Sequence, residues 1–201
     1  MPLLGPSGAL SARPHRVLVV GTSGAGKSTV ARRISQLLQV PYVELDSLFH
    51  GPCWTPRPSF VADVERFAAR PDWITEWQYQ PVRTLLADRA DLAVWLDLRR
   101  ATVMRQVILR TARRRARREV LWNGNVEPPL WRSLCDPEHI VRWAWRTHPT
   151  TAARVAELTA RRPELPVVRL RHRRDVRRWL DGPLRTTAHL QPQSRPESSS
   201  F

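Results

Sequence analysis

Gly21-Thr22-Ser23-Gly24-Ala25-Gly26-Lys27-Ser28 fits G-x-x-x-x-G-K-[ST] at every fixed position, and this stretch decides the fold. Val17-Leu18-Val19-Val20 precede it, an apolar and largely β-branched run of the kind that forms a buried parallel strand. Behind it Val30, Ile34, Leu37 and Leu38 recur at helical spacing and mark one apolar helix face. Strand, glycine loop and helix in this order make a phosphate cradle. The glycines let the backbone turn tightly, so that successive N–H groups converge on one anion. The helix that follows adds unpaired N–H groups and the positive end of its dipole.

The loop thus predicts a nucleoside-triphosphate site built from Gly21, Thr22, Ser23, Gly24, Ala25, Gly26, Lys27, Ser28 and Thr29. Lys27 is placed to reach the β- and γ-phosphates of ATP, and the Ser28 hydroxyl to hold Mg²⁺. Composition supports this. Of 33 basic residues, Lys27 alone is lysine, so the single ammonium stands where a compact phosphate-seeking charge is wanted.

At 201 residues and 42% hydrophobic content, the chain suits one well-buried α/β domain. Its two cysteines, Cys53 and Cys135, match no metal or redox spacing. The N-terminus has no secretory pattern and no apolar run reaches membrane-spanning length, so a soluble, cytoplasmic protein with no membrane partner is expected. The net charge of +15 is uneven. Residues 1–98 carry nine arginines and Lys27 against nine acids, whereas residues 99–201 carry 23 arginines against nine acids. Such asymmetry suits polyanion contact, with nucleotide phosphates or with nucleic acid, and is equally what a compositional bias toward arginine would leave.

Residues 1–15 read as a loose N-terminal segment, 16–182 as the folded domain and 183–201 as a disordered Pro-, Ser- and Thr-rich tail. Beyond the first strand, further strands are predicted at Tyr42–Leu45, Trp73–Trp77, Leu92–Asp97 and Val167–Leu170. Helices fit Val82–Ala90, Ala101–Arg118, a segment opening at Asp136-Pro137, and Thr151–Arg162. The alternation predicts a five-stranded parallel sheet with helices on both faces. Asp46, Glu76 and Asp97 all fall near carboxyl ends of strands, where ligands gather in such folds. Glu76 and Asp97 are both candidates to hold Mg²⁺ beside Ser28.

A GTPase base-reading motif needs a second lysine, so the compact nucleoside-monophosphate-kinase-like group remains, in which an arginine-rich lid closes over ATP. Residues of about 100–147, with Arg105, Arg110, Arg113, Arg114, Arg115, Arg117 and Arg118, supply that lid. The loop, then Glu44-Leu45-Asp46-Ser47-Leu48-Phe49, Trp54, Trp73-Ile74, Tyr79, Trp95-Leu96-Asp97-Leu98 and Val168-Arg169-Leu170-Arg171 resemble the adenylate-kinase-related P-loop proteins called FlaR-like, or DNA topology modulation proteins. The resemblance spans about residues 16–181 and implies a kinase core with ATP and Mg²⁺ and an arginine-rich lid. Where that family shows Asp-Gly-Asn-Tyr, this chain has Glu76-Trp77-Gln78-Tyr79, a longer carboxylate followed by a bulkier residue.

The expected function is transfer of the ATP γ-phosphoryl group to a small-molecule acceptor. Lys27, Asp46, Glu76, Arg110 and Arg114 form the catalytic set, with Asp46 orienting or deprotonating the acceptor hydroxyl; Ser28, Glu76 and Asp97 form the metal set. Two rivals are a nucleotide-dependent nucleic-acid-binding protein, for which no helix-turn-helix, zinc finger or RNP motif appears, and a degenerate kinase that only binds nucleotide.

Overall fold

In the computed structural model, which describes residues 3–117, 120–125 and 140–188, the strand ahead of the glycine loop sits inside a six-stranded, all-parallel sheet. The strands are β1 (Leu3–Leu4), β2 (Arg16–Val20), β3 (Tyr42–Val43), β4 (Trp73–Glu76), β5 (Leu92–Leu96) and β6 (Val167–Leu170), in spatial order β1-β6-β5-β2-β4-β3. The connecting helices are α1 (Lys27–Leu38), α2 (Leu45–Phe49), α3 (Phe60–Ala68), α4 (Gln80–Arg89), α5 (Arg100–Ala116), α6 (Ile140–Arg161), α7 (Arg173–Trp179) and α8 (Arg185–Ala188).

Side-chain alternation along β2 divides the interior. Val17 and Val19 join Ile34, Leu38, Val94 and Trp179 on one face of the sheet. Leu18 and Val20 join Phe67, Trp73, Leu86 and Trp95 on the other. Every residue of β4 and β5 is buried because helices cover both faces. Truncating a core side chain such as Ile34 to Ala is expected to cost about 2–5 kcal/mol. This two-sided clamp fixes the register that puts Val19 opposite Glu76, and so brings β4's last residue beside the glycine loop.

Four expectations are corrected. The sheet has six strands rather than five, because Leu3–Leu4 adds a short edge strand to β6 within the segment read as loose. Two residues hemmed by Pro2 and Gly5-Pro6 give no periodic signal. The second predicted strand stops at Val43, and Leu45 opens a short helix because its N–H donates to the Glu76 carboxylate. The two helices expected on either side of Pro149 are one continuous helix. Proline removes the donor that would serve the Trp145 carbonyl, and the Arg100 guanidinium takes its place at 2.6 Å while lying 3.4 Å over the Trp145 ring. Lastly, Pro183 does not begin a tail: helical backbone continues to Ala188, held by the buried Leu184 and Thr187. The helix start predicted at Asp136 lies outside the described residues.

Candidate active site

The glycine loop leaves β2 and enters α1 through Gly26, whose φ of 91° is a left-handed value that suits glycine. No side chain caps α1, so its first-turn N–H groups face whatever enters the loop. Gly24 is constrained twice: its φ is 83°, and a Cβ there would come within 2.0 Å of the Val107 side chain on α5. Helix α5 thus packs directly on the loop. With its amide oriented to satisfy both ends, Gln106 on the same helix donates to the Gly24 carbonyl at 2.8 Å and accepts from Arg173 at the start of α7. Thr22 is tied to Thr151 on α6 by a hydroxyl–hydroxyl bond of 3.2 Å.

Lys27 is partly buried, and its Nζ donates weakly, at 3.4 Å, to the Thr22 carbonyl. Burial lowers its pKa most, Glu76 and Asp46 oppose that, and the Arg110 charge lowers it further. The four charged groups therefore share one electrostatic neighbourhood, although they come from α1, β4, α2 and α5. Arg114 follows one turn beyond Arg110 on α5.

Glu76 is 1% exposed. Its Oε1 accepts from the Ser28 hydroxyl at 2.9 Å and from the Tyr42 hydroxyl, and its Oε2 from the Leu45 N–H at 3.4 Å. Burial raises the Glu76 pKa, with the Tyr42 hydrogen bond pulling the other way and the Asp46 charge adding to the rise. Burial and the Glu76 charge together raise that of Tyr42. A buried carboxylate bonded to the Ser28 hydroxyl is a pair of oxygen donors that would suit a magnesium ion.

Asp97 is positioned differently. Its Oδ2 accepts from Arg169 at 2.8 and 2.6 Å and lies 3.7 Å from Arg171, on the β6 side of the sheet and away from β4. Arg169 also lies 4.5 Å over the Trp95 ring. Of the two carboxylates left open by the sequence, the one beside Ser28 is Glu76, and Asp97 anchors β6.

Asp46 stands in the first turn of α2 rather than at the end of a strand. Its Oδ1 accepts from Gln78 Nε2 and from the Tyr79 hydroxyl, each at 2.6 Å. The Tyr79 oxygen lies 3.2 Å from His50 Nε2. Burial and then the Asp46 charge raise the Tyr79 pKa, so its proton stays on to hold Asp46. The bulk expected at Trp77 is turned to another use: its indole N–H donates to the Arg83 carbonyl at 2.9 Å and the half-buried ring packs against the core.

His50, Trp122 and Asn125 are brought beside Asp46 and Tyr79 as well, and the sequence reading missed them. Asn125 Oδ1 accepts from the Trp54 N–H at 3.0 Å, and its Nδ2 donates to the Gly51 and Trp122 carbonyls at 2.9 and 2.8 Å. The motif Asn123-Gly124-Asn125 signals a turn, but no local pattern says that the turn docks on residues 50–55. Among the described residues, no cluster of three or more His, Cys, Asp or Glu side chains forms a metal cage. A hydroxyl, one carboxylate and the nucleotide's own phosphates suit magnesium better than an all-protein cage does.

The sheet and the loop together define an α/β domain of the P-loop kinase fold. No known protein family profile matches the sequence, and no curated protein sequence matches it. Among solved structures, a gluconokinase from Sinorhizobium meliloti 1021 aligns with 88% of this chain and 95% of its own, at 21% identity and a TM-score of 0.50. The shikimate kinases of Aquifex aeolicus vf5 and Acinetobacter baumannii align with 83% and 87% of this chain and 91% and 88% of their own, at 9% and 14% identity and TM-scores of 0.44 and 0.45. The gluconokinase likeness shows the fold. No helix among the described residues is long and apolar enough to cross a membrane.

Proposed function

We propose that the protein is an ATP-dependent phosphotransferase of the small-molecule kinase type. It moves the γ-phosphoryl group to a hydroxyl of an acceptor whose identity is open. The observation that carries this reading is the placement of two carboxylates in Lys27's neighbourhood with different hydrogen-bond partners. Glu76 is bonded to Ser28, as a metal-side group would be, while Asp46 is bonded to Gln78 and Tyr79, facing the aromatic loop.

Magnesium, when bound between Ser28 and Glu76, supplies charge neutralisation on the β- and γ-phosphates. The chain does the rest. The loop N–H groups and Lys27 hold the phosphates, and Arg110, with Arg114 beyond it, balances charge developing on the transferred group. Asp46 has its Oδ1 occupied, which fixes the carboxylate and leaves Oδ2 for the acceptor hydroxyl. The acceptor oxygen forms its bond to the γ-phosphorus as the bond to the bridging oxygen of ADP breaks, and the hydroxyl proton passes to Asp46. Positioning and electrostatics supply most of the rate.

The test is calorimetry of Mg-ATP binding, together with measurement of ADP release over a panel of hydroxyl compounds. Lys27-dependent binding with acceptor-stimulated ADP release is expected. Binding without turnover toward any acceptor or water would favour a degenerate kinase.

A further inference from the structure

We propose that the acceptor is an uncharged hydroxyl compound with a flat or weakly polar face, and that its site is completed by the lid turn carrying Trp122. The proposal rests on the kinase reading above and deepens it. Three observations carry it.

The first is the joint between two distant turns. Pro52–Trp54 and Trp122–Gly124 are both short 3₁₀ turns with a left-handed middle residue, Cys53 and Asn123. They lie against each other through Asn125, which is buried and whose side chain makes three hydrogen bonds, two of them to the 51–54 segment. Asn123 adds a bond to the His50 carbonyl. The end of the lid is therefore fastened to the segment that follows Asp46, and Asn125 is the positioning residue.

Second, the joint gathers rings beside Asp46. Trp122 stacks on His50 at 6.2 Å and 21°, Trp54 meets His50 edge-on at 5.0 Å, and Phe49 stacks on Tyr79 at 4.1 Å. The Tyr79 hydroxyl donates to Asp46, so its oxygen accepts from His50 Nε2–H. In the neutral imidazole that leaves Nδ1 a lone-pair acceptor, and this atom is buried and without a partner. An N–H or O–H on the acceptor would complete it.

The third observation concerns charge. Arg57, the guanidinium carried by this loop, is committed to the Leu48 carbonyl, Ser59 and Asp63. On the side of Asp46 that faces this loop, away from Lys27 and Arg110, an acceptor carboxylate or phosphate would meet the Asp46 charge with no cation from the loop to offset it. Aromatic faces, one hydroxyl-seeking carboxylate and one orphan acceptor fit a neutral ring compound instead.

Matched pairs differing in charge test this: adenosine with its 5′-monophosphate, uridine with its 5′-monophosphate, and glucose with gluconate. ADP release in Mg-ATP is measured for each. At least one neutral member is expected to stimulate release and its anionic partner to do so about tenfold less. Trp122→Ala and Asn125→Ala should raise KM for that neutral compound about tenfold while ATP affinity by calorimetry stays within about twofold, and Trp122→Phe, which keeps a ring, should recover most of the loss. Stronger stimulation by the anionic members, silence of every neutral member, or variants that weaken ATP instead of the acceptor would overturn the proposal. Lys27-dependent ATP binding and acceptor-free hydrolysis, read in the same proteins, show separately whether the kinase reading itself stands.

Discussion

The two ends of the proposed site, one for phosphate and one for the acceptor, are built by opposite means. The first is one contiguous turn, Gly21 to Ser28, whose backbone geometry is set by neighbours in sequence and by glycines with positive φ. The second is assembled across the chain: Asp46 is held by residues 32 and 33 positions away, and the loop beside it by Asn125, 71 positions from Trp54. Glu76 is the hinge between them, bonded to Ser28 on one side and to the N–H of Leu45 on the other. A phosphate group is the same in every nucleotide, so one local turn serves to bind it. An acceptor varies, and a site drawn from separate segments can be altered one segment at a time.

The largest effect is expected where the comparison is starkest. Lys27→Ala should reduce Mg-ATP affinity by two orders of magnitude or more in calorimetry, about 3 kcal/mol, while leaving the fold intact by circular dichroism. Equal affinity in both proteins would break the assignment of the loop.

Glu76→Gln should separate the two ends. ATP should still bind, and ADP release should fall by orders of magnitude, because the charge that draws metal-bound water is lost. Stability should move in the other direction with pH. The folded protein holds the Glu76 proton more tightly than the unfolded chain, since burial raises its pKa. Stability is therefore full below the ordinary carboxylate range and is lost as pH rises through the raised folded value. Urea midpoints should show the wild type falling relative to Glu76→Gln across that window. A constant difference between the two would mean that burial does not raise the Glu76 pKa.

A smaller effect is expected at Asp97. Its partner Arg169 is partly exposed, so Asp97→Asn should cost about 1 kcal/mol of stability in urea and leave turnover within about twofold. Should Asp97→Asn abolish turnover while Glu76→Gln does nothing, the metal-side group has been misassigned. Smallest of all is the effect of ATP on DNA affinity. Binding to duplex DNA at physiological salt should be weak and unchanged by nucleotide, as expected if the basic half serves the lid; tight, nucleotide-sensitive binding would reverse that assignment.

The same contrast governs what could be read from the sequence. Val17–Val20, the loop and the face of α1 were legible because each is a local pattern, and the four longer strands follow apolar runs. Glu76 and Asp97 both end apolar strands, and nothing local separates them. It takes the spatial order β6-β5-β2-β4 to put one beside Ser28 and the other beside Arg169. Pro149 reads as a helix break because the sequence cannot announce that Arg100 will take over the stranded carbonyl. Asn125 reads as a turn residue for the same reason: its partners are on the other side of the chain's path.

The most direct test of the central claim is single-turnover transfer from γ-labelled Mg-ATP, with wild type and Asp46→Asn in the presence of the best acceptor found. Asp46→Asn keeps the shape of the side chain and the loop's grip on ATP, but cannot take the hydroxyl proton. The account predicts unchanged ATP affinity with label transfer slowed by about 10²–10⁴-fold. Transfer at the wild-type rate in Asp46→Asn, or no transfer of label by the wild-type protein to any acceptor, would contradict it.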